Sequence, residues 1–217
     1  MVKKSKKSAI DWMKKTSILS QALPYMQRYA GKNITVKFGG SAMGEDKLCS
    51  SFAKDVVLLK QVGINPVVVH GGGPKIKKML DKLKVKSSFV DGLRITDKET
   101  MKIVEMVLSG SINKEIVMEI NKEGGNAIGL SGKDALLAKT KKFKREKKKG
   151  EIKNHLDLGF VGLPEKINHN FLNWCLESDF VPVISPIGFD KKFETYNINA
   201  DTMAGSIASS ISSERLI

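Results

Sequence analysis

Two stretches of this chain end the same way: VKFGG at 36–40 and VVVHGGG at 67–73 each run an apolar, β-rich segment straight into consecutive glycines. The second is apolar without alternation from Val67 to Val69, the pattern of a parallel strand covered on both faces. Pro74 follows the third glycine and opens a segment with Ile76, Met79, Leu80 and Leu83 at helical spacing. After the first turn, Leu48, Phe52, Val56 and Leu59 mark another helix face, which Gly63 terminates. A strand, a glycine turn and a helix met twice in succession predict an α/β fold with a mainly parallel sheet.

The rest of the chain keeps the alternation. VKSSFVDGLRITD, 85–97, predicts a hairpin turning at Asp91-Gly92, and Thr96 or Asp97 is placed to cap a long helix from Lys98. NAIGLSG, ALLAKT, DLGFVG and VPVISPIG predict strands, and 167–177 and the segment after NINAD predict helices. Ahead of the first strand, Ile10, Met13, Ile18, Leu19, Leu23 and Met26 recur at helical spacing over 9–29, with Pro24 as a kink. Arg215 to Ile217 read as the start of one more strand, left without a partner.

The net charge of +14 would suggest nucleic acid if it were spread over one face. It is concentrated instead. Residues 1–15 contribute +5 and the lysine-rich 139–154 contribute +7, so the body of the chain is nearly neutral. Only Trp12 and Phe143 interleave the basic residues, which supplies no platform for base stacking. No apolar run approaches the length of a membrane span, and the N-terminus lacks the apolar core of a signal peptide. A cytoplasmic protein with no membrane or nucleic-acid partner is expected. Cys49 and Cys175 lack metal-ligand spacing and read as reduced thiols on helices.

In open parallel sheets ligands collect where strands end and helices begin. Lys37 lies between Val36 and Phe38 in an inner strand, so it reads as a fixed positive charge aimed at an anion beside the bare backbone of Gly39 and Gly40. Three glycines at 71–73 exceed the needs of a turn and allow a ligand to approach the main chain. NINAD, 197–201, is either a helix cap at Asn199 or a third loop on the same rim. Arg94 has the planar fork suited to a carboxylate, and His70 reads as structural. There is no Walker A loop, no GxGxxG, no Ser-His-Asp set, no paired carboxylates and no metal site.

VKFGGSAM, VVVHGGGP, DGLRITD, DLGFVG and YNINADTMAG, in this order, closely resemble the acetylglutamate kinase branch of the amino acid kinase family. The resemblance runs from about residue 33 to the chain end. It implies a three-layer sandwich with a mainly parallel central sheet, and transfer of the γ-phosphoryl group of ATP, carried with Mg2+, to the side-chain carboxylate of N-acetyl-L-glutamate in arginine biosynthesis. No prosthetic group is implied.

By motif, Lys37 would stabilise the phosphoryl group in flight, and Gly39 and Gly40 would offer it N–H groups. Gly72 and Gly73 would hold the substrate, and Arg94 would clamp its α-carboxylate. Asn197, with Asn199 nearby, would bind the acetylamino part, and Asp201 would organise lysines rather than act as a base.

The resemblance further implies an N-terminal helical extension at 1–30, a lobe at 31–185 binding the acyl amino acid and forming a dimer contact, and the start of an ATP-binding lobe at 186–217. Family members with such a helix form hexamers and are inhibited by arginine. The family continues past the NINAD helix, so weak substrate binding and little turnover are expected of these 217 residues alone. The alternatives are a related amino acid kinase acting on another substrate, or a non-catalytic lysine-rich fragment.

Overall fold

The structure, a computed structural model, describes residues 2–39, 46–144 and 157–217, with the backbone alone for 2–11 and 46. Gly40 and most of the lysine-rich segment lie outside the described residues. Helix α1 (Val2–Tyr29) leads into β1 (Asn33–Phe38) and continues through Pro24. Five strands form the main sheet in the order β11 (Arg215–Leu216), β1, β2 (Asn65–His70), β8 (Val181–Ser185) and β5 (Ala127–Ser131), and every pairing is parallel.

Two helical layers cover this sheet. On one face, Val68 and Val183 pack with residues of α2 (Asp46–Gln61), α3 (Gly73–Lys82), α4 (Lys98–Glu105) and α5 (Asn113–Lys122), among them Ala53, Leu80, Val104 and Ile120. On the other, Val67, Val69 and Ile184 pack with Leu172 and Leu176 of α6 (His169–Glu177) and with Met203 and Ile207 of α7 (Ala200–Ser210). The unbroken apolar run of β2 is explained by burial on both sides, and the three layers are those expected.

A smaller sheet, β6 (Ala138–Lys142), β7 (Val161–Ile167), β9 (Ile187–Phe189) and β10 (Thr195–Ile198), closes into a four-stranded barrel. Its antiparallel β6–β7 pair forms the arms around the lysine-rich segment. The 85–97 hairpin is present as β3 (Phe89–Val90) and β4 (Leu93–Arg94). Asp91 and Gly92 have φ of 50° and 77°, as a two-residue type I′ turn requires. Asp97 caps α4 by accepting the Thr100 N–H.

Two expectations are corrected. The long helix from Lys98 contains a π-helical segment, Met106–Ile112, between α4 and α5. The final strand is partnered: β11 pairs with β1, and the Lys37 N–H donates to the Ile217 carbonyl at 2.7 Å. A two-residue strand has too little periodicity to show its partner in sequence, and this one lies far away along the chain.

Candidate active site

Strands β1 and β2 end side by side, with Phe38 paired to His70 and the Gly71 N–H donating to the Phe38 carbonyl at 2.8 Å. The two glycine turns therefore start from one rim. A cleft of about 280 Å3 opens there. It is bounded by Lys37 and Gly39 from the first turn, Gly71 to Gly73 from the second, Arg94 from the hairpin, and Asn197 and Asn199 from the barrel side. All the expected site residues that the structure describes meet at this cleft, with Asp201 joined to it through Lys37.

Lys37 reaches beyond the strand end to within 3.0 Å of Asp201 Oδ1. Its Cε and Nζ lie over Gly39, where an added β-carbon would sit 3.0 and 3.1 Å from them. The glycine thus leaves room for the ammonium to fold back over the turn. Asp201 stands in the first turn of α7, where the helix dipole favours a carboxylate. The carboxylate holds the lysine head in place while remaining 71% exposed, so the positive charge is oriented without being sealed off.

Arg94 is almost fully buried. One guanidinium nitrogen donates to Ser87 Oγ, another to the Gly73 carbonyl at 3.4 Å, and the plane stacks on Phe89 at 4.4 Å. Burial lowers its pKa and the Asp81 charge offsets part of that, but an arginine remains charged. The cross-strand pairing of Phe89 with Arg94 follows from the turn at Asp91-Gly92. Phe89 and Ser87 were not among the expected site residues; the register of a two-residue hairpin is the signal that would have found Phe89.

Gly72 has an extended backbone, with φ of 174°, so its lack of a side chain serves packing rather than an unusual dihedral angle. A β-carbon there would come within 2.6 Å of both Leu108 Cδ2 and Ile112 Cδ1 from the π segment. Gly73, by contrast, has open space around its α-carbon. Asn199 is the cap of α7, with Oδ1 accepting the N–H groups of Asp201 and Thr202 at 2.8 and 3.0 Å. Asn197 lines the cleft from β10.

His70 is buried, and its pKa is lowered to about 4, chiefly by desolvation. It is neutral near pH 7, and among the described residues its ring nitrogens meet the Gly71 carbonyl and the Asn113 amide, in keeping with a structural reading. Among the described residues no three His, Cys, Asp or Glu side chains converge on a metal position, and Cys175 is a buried thiol. No helix there is long and apolar enough to cross a membrane. A wider groove of about 1120 Å3 runs along α2 and α5, but it contains none of the expected site residues, and its lysines include Lys75, which is paired with Glu115.

The profile of the amino acid kinase family matches residues 32–217. Acetylglutamate kinase of Rhodospirillum centenum is 55% identical over 209 residues, covering 95% of this chain and 68% of that sequence. Its counterpart in Rhodospirillum rubrum is 55% identical over 208 residues, covering 95% and 67%. The present chain thus spans about two thirds of the length of these relatives.

Among solved structures, the fold matches N-acetylglutamate synthase from Neisseria gonorrhoeae complexed with coenzyme A and N-acetyl-glutamate (TM-score 0.78, 19% identity, 93% of this chain and 44% of that one). It also matches carbamate kinase from Giardia (TM-score 0.57, 15% identity, 86% and 71%). At these identities the structural matches speak for the fold alone.

Proposed function

The chain belongs to the amino acid kinase family, and we propose that its cleft serves the acetylglutamate kinase reaction: ATP-dependent phosphorylation of the side-chain carboxylate of N-acetyl-L-glutamate, in arginine biosynthesis. The carrying observation is the meeting, at one rim, of a buried Arg94 and a Lys37 locked by Asp201, with glycine backbone between them. The roughly half-identical acetylglutamate kinases support the choice of substrate.

Two anions have to be brought together in this reaction, and the site divides the work. Arg94, its plane fixed by Phe89 and two of its donors fixed by Ser87 and Gly73, takes the α-carboxylate. Gly72 and Gly73 bring main-chain N–H groups to the substrate, and Asn197, with Asn199 nearby, faces its acetylamino part. The attacking carboxylate is already ionised at neutral pH and needs no base. Lys37 and the Gly39-Gly40 turn stabilise charge on the phosphoryl oxygens as they pass between donor and acceptor. Asp201 holds Lys37 in place. Magnesium enters with the nucleotide phosphates as part of the substrate.

Within this reading residues 31–185 bind the acyl amino acid and 186–217 begin the nucleotide side. A homodimer, a hexamer joined through the N-terminal helix, feedback inhibition by arginine and a cytoplasmic location belong to the same proposal. Calorimetric titration with N-acetyl-L-glutamate tests the reading, with glutamate, aspartate and carbamate as comparisons. Selective binding that Arg94→Ala abolishes is expected. Equal binding of all four ligands, or binding untouched in Arg94→Ala, would overturn it.

A further inference from the structure

The triple-glycine turn has no side chains of its own to fix it, yet the proposed function asks its N–H groups to point at a ligand. What fixes it lies beneath. His70 Nδ1 is 2.9 Å from the Gly71 carbonyl oxygen. A carbonyl only accepts, so Nδ1 carries the proton and Nε2 is left as an acceptor. Asn113 Nδ2 stands 3.3 Å from Nε2, the complementary donor. The same amide donates to the carbonyl of Val183 at 2.8 Å and reaches that of Leu130 at 3.4 Å, on two strands of the main sheet. Both side chains are buried, at 0% and 1% exposure.

Asn113 is kept for what it donates. Its Oδ1 has no hydrogen-bond partner among the described residues and lies against Gly129, where a β-carbon would come within 2.0 Å of it. The carbonyl and N–H of a trans peptide point in opposite directions. Holding the Gly71 carbonyl inward against His70 therefore turns the Gly72 N–H outward, on the side of the cleft. From the sheet carbonyls through Asn113 and His70 to the Gly71–Gly72 peptide, one continuous polar strut runs from the core to the rim.

We infer that His70 and Asn113 are positioning residues that set the direction of the Gly72 N–H and thereby the affinity of the glycine turn for the substrate. The inference rests on reading the cleft as the N-acetylglutamate site. It assigns neither residue a contact with substrate and gives the imidazole no proton to transfer.

Two variants separate positioning from core filling. Asn can place an amide N–H where Nδ1 stood, so His70→Asn retains the donor to Gly71, whereas His70→Leu retains bulk and loses it. Each is studied as the full 217-residue chain, at a temperature where near-ultraviolet circular dichroism shows it folded. The ligand-free readout is the set of amide signals of Gly71, Gly72 and Gly73 in 15N-resolved spectra, and the second is the calorimetric Kd for N-acetyl-L-glutamate.

In His70→Leu the three glycine signals are expected to move and the Kd to rise about tenfold or more, the scale of one lost hydrogen bond at a buried site. In His70→Asn the signals should return toward their native positions and the Kd stay within about threefold of the native chain. Native-like glycine signals and Kd in folded His70→Leu, with only a lowered melting temperature, would overturn the inference and leave His70 as core packing. A native chain that binds no N-acetyl-L-glutamate would overturn the functional reading instead, and the ligand-free glycine signals would still decide the strut.

Discussion

At the scale of single residues, charge and burial separate function from stability in two opposite ways. Lys37 and Asp201 form a partly exposed pair, and such pairs contribute about 0–1 kcal/mol to folding. Lys37→Met should therefore leave thermal stability nearly unchanged while lowering phosphoryl transfer by about 100-fold or more in any preparation that turns over, as removal of one transition-state donor does. Coupled measurement of ADP release and thermal unfolding checks this, and a large loss of stability would mean the pair is chiefly structural.

His70 is the converse case. Its folded pKa, about 4, lies below the ordinary histidine value of 6.5 because burial disfavours the imidazolium. The unfolded chain therefore takes up the proton first as pH falls. Stability from this group is present in full above pH 6.5 and is lost progressively towards pH 4, by roughly 3 kcal/mol in total. Denaturant unfolding of the native chain and of His70→Asn between pH 7 and pH 4 should show a steeper loss in the native chain; parallel curves would contradict the assignment.

At the scale of elements, the parts legible in sequence were those whose cause is local. The parallel strand β2 announced itself by an unbroken apolar run, the hairpin by Asp91-Gly92, and the capped helix by Asp97. Strand ends and glycines mark the rim itself in the sequence, whereas Arg94, Asn197, Asn199 and Asp201 are assigned to it through the family motifs. The π segment could not, since Val104, Leu108 and Ile112 keep a spacing of four that an ordinary helix also shows. Nor could the reason for Gly72, which depends on Leu108 and Ile112 from another part of the chain.

That contact makes a prediction. Gly72→Ala should destabilise the fold by about 1–3 kcal/mol, the usual cost of overpacking, because its methyl would meet two side chains at 2.6 Å. Leu108→Ala alone should also destabilise, by opening a cavity. The double variant should be more stable than the two losses summed, since each change relieves the other, and a double-mutant cycle by chemical denaturation reads this coupling directly. Additive losses would show that the turn shifts away from the π segment instead of pressing on it.

At the scale of the whole molecule, the first helix stands apart from the layered body. None of the side chains described on α1 is buried, and Trp12, Met13, Ile18, Leu19, Leu23 and Tyr25 are all more than half exposed. Its junction with the body includes the Gly31 N–H bonded to the Gly63 carbonyl at 2.7 Å and Arg215 placed 5.9 Å from the Tyr29 ring. A helix in water gains little without packing on one face. An apolar surface of this extent therefore calls for a covering partner, and a second copy of the chain is the partner the functional proposal supplies.

Removing residues 1–28 should then act on assembly and leave the core alone. The shortened protein is expected to unfold within a few degrees of the full chain when both are dilute, because among the described residues neither hydrophobic core contains a side chain of α1. Its mass by light scattering should fall by at least one assembly step at concentrations where the full chain associates. Equal masses would remove α1 from the assembly contact, whereas a large drop in stability of the dilute protein would mean that the helix packs on its own body.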